Sequence, residues 1–269
     1  NVVIDHVTAN WATDENMSIW GGPGGYGVRD VTISNCLIAE GKLYGLLIGS
    51  DSPQPNHMNR ISIIRNLFAH NPERNPRISN NSNVFLANNL AYNSGRHAFT
   101  VLGGPLGPTN ATFIGNHYIG GADSRSSGIA LSFRYPPGKY FVRDCLLSGR
   151  NVRALFNSTV EAHRVPAPPI FDPTVSIVPA ADVRKMVLEK AGARPTFRDS
   201  VEKRIVHEVE TETGAIRNTR MAPGWPPEYG GSTLRPFDPE NNPHGDDDGD
   251  GYTNVEEILH RMAAQVAGG

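Results

Sequence analysis

Two arginines flank a proline in the segment His70-Asn71-Pro72-Glu73-Arg74-Asn75-Pro76-Arg77-Ile78-Ser79, directly after the apolar run from Ile61 to Phe68. A run of that kind places both guanidinium groups at a strand end instead of on a mobile tail. Fixed cations suggest an anionic ligand, and the planar, forked, permanently charged guanidinium is suited to gripping carboxylates in pairs. A solvated surface turn has the same composition, so the segment has to be weighed with its neighbours. Upstream, Trp11-Ala12-Thr13-Asp14-Glu15-Asn16-Met17-Ser18-Ile19-Trp20 puts Asp14 and Glu15 one repeat unit ahead of Lys42, which is itself one unit ahead of Arg74 and Arg77. If the chain coils, residues one turn apart become lateral neighbours. Carboxylates for a cation, a lysine and two arginines then form one stripe. Unrelated surface charges are the alternative.

A third cluster lies near the C-terminal end, in Asp246-Asp247-Asp248-Gly249-Asp250-Gly251-Tyr252-Thr253-Asn254-Val255-Glu256-Glu257. It fits a twelve-residue calcium loop. Asp246, Asp248 and Asp250 take the first three ligand positions, Gly251 the tight turn, the Tyr252 carbonyl the fourth, Asn254 the next and Glu257 the bidentate close. Crowded carboxylates repel one another unless a hard cation neutralises them, and Ile258, Leu259 and Met262 give the following helix an apolar face. A solvated acidic segment is the bland reading. With every ligand position filled by the loop itself, calcium here is expected to be structural.

The 269 residues carry 25 Lys and Arg against 27 Asp and Glu. That balance leaves no global field to draw in nucleic acid or a membrane surface, so anion binding must come from local clusters. No apolar run reaches the roughly eighteen residues of a spanning helix. Cys36 and Cys145 are each followed by apolar residues at the same offset and read as core thiols; no CxxC pair is present.

The elements that must position these groups come from a loose internal repeat. Short β-prone runs recur around His6, Asn35, Asn66, Asn89, Asn116 and Asp144. The runs are too short for helices and rich in Val, Ile, Phe and Thr, with Asn and Gly at the joins. No amphipathic helix lies between them, which argues against a doubly wound sheet. The expected fold is all-β, a right-handed parallel β-helix whose uneven loops fall on one face; an antiparallel sandwich is the alternative. The expected division is a β-helix core over 1–160, an irregular and helical extension over 161–240 that packs on it, and the calcium loop with its terminal helix over 241–269. Within the extension, the prolines from Pro166 to Pro179 exclude regular structure. Asp182 is expected to cap a helix over Val183–Ala191, and Asp199 or Ser200 one over 201–209. Residues 221–243 read as a tether.

Val-Val-Ile-Asp-His6, the Trp11–Ile19 segment, Leu37-Ile38-Ala39-Glu40-Gly41 and Phe68-Ala69-His70-Asn71 leading into Arg74-Asn75-Pro76-Arg77 resemble pectate lyases of polysaccharide lyase family 1. The 190–206 stretch and the acidic loop resemble the tail of bacterial members. The resemblance implies β-elimination of polygalacturonate outside the cell, giving 4,5-unsaturated oligosaccharides. It implies Arg74 as the base at C5, Arg77 and Lys42 as substrate contacts, and Asp14 as a calcium ligand with Glu15 as a possible substitute. The C5 proton is α to a carboxylate, so its removal builds an enolate-like charge that calcium and cations stabilise. Arginine, with a pKa normally above about 12, is a poor base. A surrounding cluster of cations would disfavour its charged form, with activity at alkaline pH to follow. Two departures stand out: Ser18 falls where a further acid is common, and the chain begins where the family's middle turns begin. The exposed strand ends this implies are expected to be covered by self-association into a homo-oligomer. A non-catalytic, acidic-polysaccharide-binding β-helix, a structural solenoid and a pectin lyase acting on esterified chains are the competing readings.

Overall fold

The computed structural model describes all residues except 25, 96–97, 126–127, 134–137, 157–160, 218–241 and 268–269. Most of the expected tether therefore lies outside the described residues. The fold is a right-handed parallel β-helix, with eighteen described strands wound into three parallel sheets of six. Each rung contributes one strand to each sheet. The rungs are β1 (Val2–Asp5), β2 (Thr8–Asn10), β3 (Glu15–Gly21); β4 (Val28–Ser34), β5 (Leu37–Ala39), β6 (Tyr44–Ser50); β7 (Met58–Ile64), β8 (Leu67–Ala69), β9 (Arg77–Ile78); β10 (Ser82–Ala87), β11 (Leu90–Tyr92), β12 (Ala98–Leu102); β13 (Thr109–Ile114), β14 (His117–Gly120), β15 (Gly128–Phe133); and β16 (Tyr140–Arg143), β17 (Leu146–Gly149), β18 (Val152–Phe156). Like residues stack. Ile33, Ile63, Leu86, Phe113 and Val142 are partners in register in the first sheet, and all are buried.

The turn from the first sheet to the second explains the repeat and corrects its phase. It has two residues, and the first adopts positive φ in every rung: His6, Asn35, Arg65, Asn88, Gly115 and Asp144. The left-handed region favours Asn, Asp and Gly, so the sequence signal at this turn is an asparagine that can fall on either of its positions. The expected alignment placed Asn66, Asn89 and Asn116 on the first position, whereas they occupy the second. There they point inward as a ladder. The Asn66 side chain donates to Asn89 Oδ1 at 3.0 Å and to the Ile33 carbonyl at 2.9 Å, and Asn89 repeats the pattern on Asn116 and Ile63. Cys36 and Cys145 occupy the same position on the two rungs that flank the ladder, one at either end. Asn66 Oδ1 accepts from the Cys36 N–H, and Asn116 Nδ2 reaches Cys145 Sγ. Burial pushes both thiols up to about 11. Cys36 is buried as expected, while Cys145 is only partly so.

Two sheets are covered from outside. The proline-rich segment lies along the first: Val175 and Ile177 pack near Phe85, Ala87 and Ile114, and Val178 exchanges two hydrogen bonds with Asn88. Helices α1 (Ala180–Lys190) and α2 (Ser200–Thr211) cover the second. There Val183, Val187, Ile205 and Val209 meet Leu37, Leu67, Leu90 and Tyr92 in one buried cluster. Asp199 caps α2 by accepting from the Glu202 N–H at 2.9 Å. Asp182 does not cap α1. That helix starts earlier, after Pro179, whose fixed φ suits a helix start, and Asp182 sits in its first turn. Helix α3 (Asn254–Ala267) follows the acidic loop. No described helix is long and apolar enough to cross a membrane.

Candidate functional site

Arg74 sits in the loop that carries the chain from β8 to β9, and Arg77 opens β9. The loop is held by its backbone and by buried amides. Arg74 adopts positive φ, the following Asn75–Pro76 bond is cis, and the Arg74 carbonyl accepts from the Leu46 N–H at 2.7 Å. Asn71 Nδ2 donates to Asn75 Oδ1, Asn75 Nδ2 donates to Ser94 Oγ, and Asn71 Oδ1 accepts from the Gly41 N–H and from Asn16 Nδ2. The loop can approach because residue 45 is glycine: a Cβ there would stand 2.6 Å from Asn75 Oδ1 and 2.8 Å from the Arg74 carbonyl.

The guanidinium of Arg74 forms an ion pair with Glu15 and lies over the Tyr44 ring, 3.5 Å from its centroid. Glu15 and Tyr44 are in-register partners of β3 and β6, and Tyr44 bridges to Glu73 on the next rung. The three turns of the coil thus bring Glu15, Tyr44 and Arg74 together, as lateral stacking requires. A cation cluster around Arg74 was expected; the neighbours described for it are an anion and an aromatic face, both partners of a cation. Glu15 instead of Asp14 makes the contact because its side chain leaves the first residue of β3, whereas Asp14 is exposed in the preceding turn.

Asp14 and Lys42 are joined to this stack through the backbone. The Tyr44 N–H donates to the Asp14 carbonyl, and the Lys42 N–H to the Ala12 carbonyl at 2.9 Å. Arg77 is half-buried and in register with Leu47, itself in register with exposed Ser18. As a cation site, this face offers two adjacent carboxylates, Asp14 open to solvent and Glu15 engaged with Arg74. A hard cation that takes six to eight oxygens would draw the rest from water and ligand.

Two features escaped the sequence reading. Tyr44 is one: counting back by the true register from Glu73, the residue before Arg74, lands on Tyr44 and then Glu15, so a correctly phased repeat would have found it. Glu40 is the other. Its side chain is fully buried and accepts from Trp11 Nε1 at 2.8 Å, from both Arg204 terminal nitrogens at 2.9 and 2.8 Å, and pairs with Arg217 at 3.1 Å. Burial works against the Arg204 charge, but Glu40 and Glu208 outweigh it and hold its pKa above the ordinary arginine value. Glu208 also pairs with buried His70 at 3.2 Å. Burial raises the Glu208 pKa, yet His70 and Arg204 prevail and leave it below the usual value. This network fastens α2 to the turns that lead into Asp14, Lys42 and Arg74.

The acidic loop stands apart from this face in sequence and has its own geometry. Asp246, Asp248 and Asp250 bring carboxylate oxygens within 4.8 Å of one another. Gly249 and Gly251 take positive φ, and Asp246 accepts from both of their N–H groups. Repulsion from Asp248 and Asp250 raises the Glu257 pKa above its usual value. Asn254 is buried and differs from the expected role. Its amide accepts from the Asp247 N–H and donates to the Asn242 carbonyl, so it ties the loop's base.

A match to a known family agrees with this architecture. The right-handed beta helix region family matches residues 8–160. A probable pectate lyase C of Aspergillus flavus is 30% identical over 220 residues, covering 78% of this chain and 49% of that protein. The probable pectate lyase C of Neosartorya fischeri is 28% identical over 268 residues, covering 95% of this chain and 58% of its own length. The chain thus spans about half the length of these relatives. A solved thermostable pectate lyase aligns with a TM-score of 0.42 at 15% identity, over 68% of this chain and 53% of the other.

Proposed function

The chain belongs to the right-handed β-helix family, and on that premise we propose that it is a pectate lyase acting on polygalacturonate outside the cell. The observation that carries the reading is the Glu15–Tyr44–Arg74 stack, with Lys42 and Arg77 on neighbouring positions, in a chain whose relatives bear the name of that activity. In this reading Arg77 and Lys42 bind substrate carboxylates, and the Tyr44 ring keeps the Arg74 guanidine at a fixed height over the groove. Arg74 takes the proton from C5. The electron pair of that C–H bond becomes the C4–C5 double bond as the C4–O bond breaks, and the departing oxygen takes up a proton.

For Arg74 to accept a proton it must first lose its own and part from Glu15. Asp14 and Glu15 would hold calcium jointly with the carboxylates of the substrate, and a bound ion would neutralise the charge that grows at C5. Glu15 is therefore the exchangeable partner, bound to Arg74 at rest and turned away from it when substrate is seated. Asp246, Asp248, Asp250, the Tyr252 carbonyl and Glu257 would hold a second calcium of structural character.

The same ion pair supports a second reading. A guanidinium locked onto Glu15 grips acidic sugar without chemistry, as in a non-catalytic polysaccharide-binding β-helix. Ultraviolet absorbance of unsaturated product on polygalacturonate separates the two. Product that disappears in Arg74→Ala and with a chelator supports the lyase. Binding without product leaves only the second reading.

A further inference from the structure

Beyond the charged groups, one large aromatic among the described residues is exposed on the outer face of the third sheet. Trp20 is 39% exposed, in a position where an apolar side chain gains nothing from solvent. Strand alternation sets it outward together with Ser18, while Ile19 between them is buried. In register, Ser18, Leu47 and Arg77 form one row across the rungs, and Trp20 and Gly49 begin the next, where Ser79 follows.

The indole is fixed at two points. Its Nε1–H donates to Asp51 Oδ2 at 3.0 Å. Its six-membered ring lies over residue 49, where a Cβ would stand 2.8 Å from Cζ3 and 2.6 Å from Ser79 Oγ. Only glycine leaves room for the ring to lie there. From strand spacing and side-chain alternation, Trp20 stands about 12 Å from Arg77 along the same face, the distance of two to three sugar rings.

We propose that Trp20 is a stacking platform for a sugar ring of the same acidic polysaccharide, a subsite that takes the apolar C–H face of a galacturonate unit two to three rings from the one gripped by Arg77. This rests on the polygalacturonate reading and extends it from charge to ring. The carboxylates of a polyanion meet arginine and lysine, while the faces of its rings need a flat apolar partner. A tryptophan pinned by Asp51 and Gly49 offers that partner with little conformational entropy left to lose.

The test is calorimetric binding of saturated digalacturonate and hexagalacturonate to the full chain and to Trp20→Ala and Trp20→Phe, with product absorbance followed separately in the parent protein. Trp20→Ala is expected to weaken hexagalacturonate binding about tenfold and leave digalacturonate within twofold, with Trp20→Phe keeping most of the affinity. Equal binding of the hexamer by Trp20→Ala, an equal loss for both lengths, or no binding by the parent overturns the subsite. Product formation with no effect of Trp20 sinks this inference alone. Length-dependent, Trp20-dependent binding without product sinks the lyase reading and leaves the subsite standing.

Discussion

Arg74 is defined by what it touches. Its guanidinium meets a carboxylate in the plane and an aromatic ring on the face, a combination that lysine cannot reproduce with a compact, strongly hydrated charge. Arg74→Lys should therefore lose nearly as much product formation as Arg74→Ala, about a hundredfold or more for a proton-transferring group, while both keep the parent's thermal midpoint within a few degrees. Tyr44 separates ring from hydroxyl. Tyr44→Phe should retain the rate within a few-fold and Tyr44→Ala should not, as read by initial velocities on polygalacturonate. Glu15→Gln removes the resting partner of Arg74. In the lyase reading it shifts the rising limb of the pH–rate profile toward neutral pH, because the guanidine no longer has an anion to leave; an unmoved profile would deny Glu15 that role.

At the scale of elements, the inner asparagine ladder and the α2 contact hold the site's turns in place. Asn89→Ala would leave the Asn66 amide and backbone N–H without their buried partner, at a cost of about 2 kcal/mol or more, measured as a lower denaturant midpoint. The docking of α2 depends on Glu208, whose folded-state pKa lies below the ordinary 4.5 because His70 and Arg204 outweigh burial. Its contribution to stability is complete above about pH 4.5 and is lost as pH falls through the lower folded value. Unfolding midpoints measured from pH 6 down to pH 3 should fall more steeply for the parent protein than for Glu208→Gln. Identical slopes would mean that α2 is held by its apolar face alone.

At the scale of the whole molecule, the acidic loop is a separate lever. If the loop binds calcium as proposed, the ion at a hundred times its dissociation constant would stabilise whatever unit folds with the loop by about 2.7 kcal/mol. Calcium should therefore raise a thermal midpoint in the parent and not in Asp248→Asn paired with Glu257→Gln, and a chelator should reverse the rise. The coil itself was legible in the chain because stacking makes every rung repeat the same in–out pattern, so Ile33, Ile63, Leu86 and Phe113 announce one another at near-constant spacing. The clustering of Asp246, Asp248 and Asp250 was legible for a similar reason: they lie within five consecutive residues, where spacing and geometry are the same thing. The phase of the repeat was not, since asparagine is favoured both where the backbone turns left-handed and where an inward amide can join the ladder, and the two positions are adjacent. Nor was the start of α1, which follows Pro179 instead of waiting for a capping aspartate. The type and order of the charged residues were thus fixed by sequence, along with the coil that stacks them. Which carboxylate meets Arg74, that Tyr44 lies beneath it, and that Glu40 vanishes under α2 were decided only by tertiary structure, because each depends on a register one residue fine and on rungs that sequence separates by about thirty positions.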